Sequence, residues 1–423
     1  MKVLVIGSGG REHAMAWKLS HSKKINAIFI APGNGGTHLN PKFNNIDLTD
    51  INLLSDFAIK EKIDLTIVGP ELPLSKGIVD LFRSKNLNIF GPTQKAAQLE
   101  SSKDFAKDFM YRHNIPTAKY RTFKMPDEAH HYVNEHGAPI VIKADGLASG
   151  KGVIVALTVD EAHDAIDFML VDNKFGDAGA KIVIEEFLEG EEASFMVICD
   201  GKTILPLATS QDHKRLLDHD MGPNTGGMGA YSPAPIVTKE IYSKVMDEII
   251  YPTINGMGKD GIPFTGFLYA GLMITKKGDV KTLEYNCRMG DPETQPILMR
   301  LKSDLFEILY TAALGQIDSL EIEWDTRTAL AVVLASAGYP ESPKLNDEIH
   351  IEDRIIPDSY IFHAGTIYKD NKLLTSGGRV LAVTALGNSL KEAQIQAYEA
   401  ISTVKFTGAQ YRQDIGYRAL NNN

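Results

Sequence analysis

Three short apolar runs stand out in the first hundred residues, at 3–6, 28–31 and 65–69. Each ends in a Gly/Pro turn, and helical patterns fill the stretches between them, the first from about residue 11 to 21. Uninterrupted apolar runs of this length read as buried strands. Strands that alternate with helices predict a parallel, doubly wound α/β sheet. Such sheets hold ligands beyond the carboxyl ends of their strands. Three loops are therefore singled out: Gly7-Ser8-Gly9-Gly10, Pro32-Gly33-Asn34 and Gly69-Pro70-Glu71.

Gly91-Pro92 closes this unit. Ser101, with Asp104 in the following turn, predicts a helix start. That helix is expected to reach about Asn114, stop before Pro116 and act as a linker. Residues 118–190 then predict a small lid-like αβ unit. Its strands are expected at 139–143, 153–156 and 181–187, with a glycine loop at 146–152 and a helix at 160–170. Residues 191–325 hold longer strands and the glycine-rich loop at 222–229. The tail, with apolar runs at 329–335 and 380–385 and a helix near 390–404, carries few polar clusters and reads as a structural cap.

Charge narrows the function classes. The 423-residue chain has a formal net charge of −10, whereas general nucleic-acid binding needs a basic footprint. Small anions are still allowed, since local fields come from local residues and backbone N–H groups. Cys199 and Cys287 suggest neither a disulfide framework nor a zinc site. No apolar run approaches the ~18 residues of a membrane span. The start Met1-Lys2-Val3-Leu4-Val5-Ile6-Gly7 is too short for a signal-peptide core and reads as a first strand. A reducing cytoplasm is the simplest compartment.

Local chemistry concentrates in three places. Lys143 and Lys151 flank a loop with Gly146, Gly150 and Gly152, between two predicted strands. Glycines there let backbone N–H groups turn toward an anion. The spacing differs from a Walker A loop, and a flexible hairpin is the plainer alternative. Next, Glu185-Glu186-Phe187-Leu188 ends a strand whose edge can offer backbone groups to an adenine ring, or simply forms an acidic turn. Last, Glu284, Asn286 and Arg288 share one face of a strand by its period of two. A carboxylate beside an amide oxygen suits a hard Mg²⁺ ion, and the arginine can neutralise phosphoryl charge. A polar surface strand is the alternative. Bringing a carboxylate against a triphosphate requires concentrated positive charge. The candidates are Lys103, Lys143, Lys214, Arg215 and Arg288.

On these residues the chain resembles the ATP-grasp superfamily. A fuller set of words resembles one family within it, the phosphoribosylamine–glycine ligases. They are Val5-Ile6-Gly7-Ser8-Gly9-Gly10-Arg11-Glu12-His13-Ala14, Gly69-Pro70-Glu71, Gln211-Asp212-His213-Lys214-Arg215, Gly222-Pro223-Asn224-Thr225-Gly226-Gly227-Met228-Gly229, and the run from Asn286 through Asp291-Pro292-Glu293 to Gln295. They span nearly the whole chain in order, and its length matches the free-standing bacterial-type enzyme. The resemblance implies a substrate-binding domain at 1–101, an ATP-grasp domain at 102–325 with its lid at 118–190, and an α+β cap at 326–423.

The implied reaction joins glycine to 5-phosphoribosylamine at the expense of ATP. By resemblance, Lys103, Lys143, Gly146, Gly150 and Gly152 contact the ATP phosphates. Glu185, Glu186, Phe187 and Leu188 form the adenine hinge, and Glu192 reaches the ribose. Glu284 and Asn286 hold Mg²⁺ or Mn²⁺. Asp212, Lys214 and Arg288 lie near glycine and its acyl phosphate. Gly9, Gly10, Asn34, Pro70, Glu71, Asp291, Pro292 and Glu293 bind phosphoribosylamine. The expected partners are these small molecules, with no nucleic acid, no membrane and a monomeric chain.

Two departures are visible. The strand before Glu284 reads Tyr269-Ala270-Gly271-Leu272-Met273, without the second acidic metal ligand that many superfamily members carry. The N-terminal turn lacks the third glycine of a dinucleotide fingerprint, which argues against a dehydrogenase. Another ATP-grasp carboxylate–amine ligase is the remaining alternative.

Overall fold

The computed structural model describes residues 1–147, 152–172 and 174–421. Its first sheet has the strand order Phe43–Asn45, Ala27–Pro32, Lys2–Gly7, Leu65–Val68, Ile89–Phe90. Every neighbouring pair is parallel. Val3, Leu4, Val5 and Ile6 are all buried, because helices cover both faces. The winding reverses between Lys2–Gly7 and Leu65–Val68. The loops at 7–10 and 69–71 therefore flank the switch point where such sheets receive ligands.

Glu12 pins these two loops together. It lies in the first helix, Gly10–Leu19, and its carboxylate turns back to accept the Gly9 N–H at 2.6 Å. The side chain is buried against Gly7 and Gly69, and a Cβ on either glycine would overlap it. Gly7 also sits at φ +127°, which side chains rarely adopt.

The linker helix is Lys103–Arg112, capped by the Ser102 hydroxyl on the Phe105 N–H. The expected start at Ser101 is displaced because Ser101 closes a separate short helix, Gln98–Ser101. Beyond it, four antiparallel strands form the lid sheet in the order Tyr120–Phe123, Ile182–Glu186, Ile140–Ala144, Val153–Ala156. Val133 and Ala162, from helices Pro126–His136 and Val159–Ile166, share an apolar cluster with Ile142 and Ile184 of the sheet. That cluster is separate from the other cores. The helix expected over 160–170 widens into a π-helical turn, Asp167–Val171, after Ile166.

Ile182–Glu186 is an interior strand, not an edge. Glu185 pairs with Tyr120 on one side and Val141 on the other. Only Phe187 and Leu188 lie past the last pair.

Another antiparallel sheet runs Ile204–Pro206, Glu191–Asp200, Thr265–Ile274, Val280–Asn286. Its register sets Gly271 opposite Glu284 and Leu272 opposite Thr282, so Leu283 is bulged out. Bulges of this kind re-aim side chains beside functional sites.

The tail is not a self-contained cap. Its strands Thr328–Ala335, Arg379–Gly387 and Ser359–His363 extend a sheet that begins with Gln211–Asp212 and Gly229–Ser232. Its polar residues are also engaged. The His363 N–H donates to His13 Nδ1 at 2.9 Å, and its carbonyl accepts Asn34 Nδ2 at 2.8 Å. The sequence looks polar-poor there because these partners lie hundreds of residues away. Among the described residues no helix is long and apolar enough to cross a membrane.

Because Glu12 fills the space beside Gly69, Gly69→Ala is expected to cost roughly 1–3 kcal/mol of stability through overpacking. Urea unfolding would measure it. In a Glu12→Ala background the same change is expected to cost clearly less.

Candidate active site

The main cleft lies between the lid, the linker helix and the Glu284 strand. Among the described residues, four cations line it, Lys103, Lys107, Lys143 and Arg288, and four carboxylates, Glu71, Glu100, Glu185 and Glu284. The anticipated excess of positive charge is thus matched by acids. Gly146 and Gly152 also line the cleft. Gly150 and Lys151 lie outside the described residues.

Glu185 sits between two lysines. Its Oε1 is 2.9 Å from Lys143 Nζ, and its Oε2 accepts from Lys107 Nζ at 2.9 Å. All three side chains are buried. Burial raises the Glu185 carboxyl, but Lys143 and Lys107 outweigh it and hold the group below its ordinary value. Burial pulls Lys107 down to about 8, against the opposing pull of Glu185. Lys143 also donates to the bulged Leu283 carbonyl at 3.3 Å. Lys103 donates to the Gly146 carbonyl at 3.2 Å. Its ammonium is lowered by burial, although Glu284 opposes this.

Arg288 forms the centre of a second chain of charges. One Nη2 reaches Glu100 Oε1 and Asn286 Oδ1, each at 2.8 Å. Its Nε lies 3.4 Å from Glu71 Oε2, which is 3.5 Å from Arg11 Nη2. Arg11 Nη1 in turn donates to the Met289 carbonyl at 3.2 Å. Glu100 also accepts the Cys287 N–H at 2.7 Å, which fixes the turn after the strand. Burial would lower Arg288, but Glu100, Glu71 and Glu284 raise it above its ordinary value.

A third group extends toward Glu293. Lys214 is hydrogen-bonded to Glu192. Burial, reinforced by Glu293 and Glu192 against the attraction of Lys214, pushes Asp212 up to about 7. Glu293 is itself buried and accepts the Ser194 hydroxyl at 2.9 Å.

The fold thus brings Lys103, Lys143, Glu71, Glu185, Glu284, Asn286 and Arg288 together. Gly9, Gly10, Asn34 and Pro70 stand at the neighbouring switch point. Asn34 Nδ2 donates to the Ser8 carbonyl at 2.9 Å, and Gly10 faces the Gln295 amide. The side chains of Glu186 and Arg215 turn elsewhere, which leaves the expected use of backbone groups at 185–188 untouched. The Glu186 carboxylate faces away from the cleft lining, accepting from Lys281 Nζ at 2.7 Å and the Lys119 N–H at 3.0 Å, because neighbours in a strand point to opposite faces. Arg215 donates to the Gly222 carbonyl at 2.8 Å within a hairpin and does not line the cleft. Glu100, Lys107 and Arg11 escaped sequence reasoning. The spacing of Lys103 and Lys107, one helical turn apart, was the available signal.

The metal donor set is sparse. Among the described residues no three carboxylate, imidazole or thiol side chains converge. Glu284 and the Asn286 amide oxygen remain, with Gly271 opposite. Burial would raise Glu284, but Lys214, Lys143, Lys103 and Arg288 keep it below its ordinary value and therefore ionised. Two hard oxygens fit a cation that draws its other ligands from phosphate and water.

Comparison with known proteins agrees with this layout. Campylobacter jejuni biotin carboxylase, solved with β,γ-ATP, aligns with a TM-score of 0.76 over 100% of this chain and 96% of that one. At 14% identity it speaks for the fold alone. The fold is that of the ATP-grasp class. Family profiles for phosphoribosylglycinamide synthetase match in order: the N domain at 1–100, the ATP-grasp (A) domain at 101–294 and the C domain at 329–418. The Ralstonia nicotianae phosphoribosylamine–glycine ligase is 63% identical over 99% of this chain and 100% of the relative. The Neisseria meningitidis serogroup A protein of the same name is 60% identical, with 100% of both chains covered. The crystal structure of the Thermotoga maritima phosphoribosylamine–glycine ligase aligns with a TM-score of 0.85 at 35% identity, covering 98% of this chain and 100% of that one. The chain belongs to the phosphoribosylglycinamide synthetase family.

The Asp212 environment gives a signed expectation. Its folded value, about 7, lies above the roughly 3.9 of an unfolded aspartate. The unfolded chain therefore releases this proton first, and stability falls as pH rises between the two values. Asp212→Asn is expected to raise the Tm above pH ~7 and leave it unchanged below pH ~4. Thermal melts across pH would check the sign.

Proposed function

We propose that this chain joins glycine to 5-phosphoribosylamine through a glycyl phosphate, forming glycinamide ribonucleotide, ADP and phosphate in purine biosynthesis. One observation carries the reading. Arg288 stands between Glu284 and Asn286 on one side and the Glu71–Arg11 pair at the switch point on the other. A single guanidinium thus borders both a phosphate-type cleft and the loops of a parallel sheet.

On this reading residues 102–325 handle ATP, with 118–190 as the lid. Residues 1–101 receive the amine, and 326–423 brace both. Lys103 and Lys143 steady the phosphates together with Gly146, Gly150 and Gly152. Glu185, Glu186, Phe187 and Leu188 provide the adenine hinge, and Glu192 reaches the ribose. Mg²⁺ or Mn²⁺ on Glu284 and Asn286 would supply charge neutralisation at the phosphate oxygens. Arg288, Lys214 and Asp212 lie near glycine and its acyl phosphate, with the two cations holding the carboxylate for in-line attack on the γ-phosphate. Gly9, Gly10, Asn34, Pro70, Glu71 and the Asp291–Pro292–Glu293 turn orient the amine. The lid excludes water, which would hydrolyse the acyl phosphate. On this reading the chain works as a monomer in the cytoplasm.

ADP release measured with ATP, Mg²⁺, glycine and freshly generated phosphoribosylamine tests this. Release is expected to need both glycine and the amine. AMP formation or glycine-independent turnover would refute it. Glu284→Ala is expected to lower kcat by on the order of 100-fold. Lys143→Ala is expected to weaken ATP binding and phosphoryl transfer. Unchanged ATP affinity and kcat in that variant would remove Lys143 from the phosphate role.

A further inference from the structure

Thr225, in the glycine-rich loop at 222–229, grips the backbone of Lys214. Its N–H and its hydroxyl both donate to the Lys214 carbonyl, at 2.7 and 2.8 Å. The Gly227 N–H donates to that hydroxyl at 3.0 Å. Gly226 is held from the other side by two residues of the tail. Its N–H donates to the Tyr339 hydroxyl at 2.9 Å, and its carbonyl accepts Arg379 Nη1 at 2.6 Å. The same Nη1 donates to the Asp291 carbonyl at 2.8 Å, and Nη2 to the Asp291 carboxylate at 2.8 Å.

One guanidinium therefore ties the loop that fixes Lys214 to the turn that carries Glu293. The contact has no slack. A Cβ at Gly226 would stand 2.9 Å from Arg379 Cζ, and one at Gly227 would stand 2.5 Å from Pro292 Cδ. Gly227 also has φ +115°. The planar fork reaches these three acceptors from two nitrogens, whereas a lysine would have to reach all of them from one.

We propose that Arg379 is a positioning residue that couples the two halves of the ligation. This rests on the ligase reading above. Lys214 belongs to the group around glycine, and Asp291 to the turn beside the amine. Their spacing sets the line from the amine nitrogen to the acyl carbon. In the second half, that nitrogen attacks the carbonyl, the carbon–oxygen bond to phosphate breaks, and phosphate leaves with the electron pair. The ammonium proton goes to solvent. If the two halves drift apart, water attacks the acyl phosphate and returns glycine and phosphate, while ADP has already formed. A positional error of this kind is costly at a reacting centre.

The test is stoichiometry. Glycinamide ribonucleotide formed and ADP released are measured together in wild type, Arg379→Ala, Arg379→Lys and Tyr339→Phe, with KM for ATP alongside. The expected result is a ratio near one in wild type, lowered about 2-fold or more in Arg379→Ala. KM for ATP stays unchanged. Arg379→Lys recovers part of the ratio, and Tyr339→Phe lowers it less. Should Arg379→Ala not fold, the other two variants decide. A ratio that stays at one in the folded variants overturns the proposal, as does a loss of ATP binding in step with activity. Wild-type protein without glycine- and amine-dependent ADP release overturns the ligase reading, and this proposal with it.

Discussion

A buried ammonium or guanidinium keeps its charge only beside an anion. The cleft depends on this constraint and meets it by placing acids between its cations. Glu185 lies between Lys107 and Lys143, and Glu71 between Arg288 and Arg11. These pairs also hold elements together. Lys107 belongs to the linker helix, Glu185 and Lys143 to the lid, and the Leu283 carbonyl to the body. The groups suited to meet a phosphate are the same ones that seat the lid. On the proposed function, a phosphate drawing on Lys143 competes with the Glu185 contact, so nucleotide binding and lid position share one set of charges.

The legible parts of the site were local in sequence. Glu284 and Asn286 share a cleft because alternate strand residues share a face, a period written in the chain, and Arg288 joins them from the turn just past the strand. The loops at 7–10 and 69–71 were legible because each follows an apolar run ending in a turn. The doubly wound sheet was legible for the same reason. Sequence periodicity also explains the side chain of Glu186. Adjacent strand residues point apart, so of the two carboxylates only that of Glu185 enters the cleft.

What was not legible is long in range. Glu100 and Lys107 sit on helices that looked like a linker, and nothing nearby marks their partners. Arg379 meets Asp291 and Gly226 across 88 and 153 positions. His363 meets His13 across 350. Each is one polar residue in an otherwise apolar or turn-rich stretch, so no local pattern flags it. The bulge at Leu283 was likewise invisible, since it arises from pairing with Thr265–Ile274 and not from its own residues.

The sheet that joins Gln211–Asp212 and Gly229–Ser232 to the tail has a bearing on synthesis. Gly229–Ser232 has two neighbours, the two-residue strand Gln211–Asp212 and Thr328–Ala335. Thr328–Ala335 in turn completes its pairing with Arg379–Gly387. A strand cannot be held by a partner that has not yet left the ribosome. The parallel sheet and the lid, built from contiguous residues, have all their strands by the time Glu186 emerges. The segment bearing Asp212 and Lys214 waits for Arg379–Gly387. A growing chain therefore acquires Lys103 and Lys143 early, while the segment of Asp212 and Lys214 gains its full sheet only after residue 387 has been made.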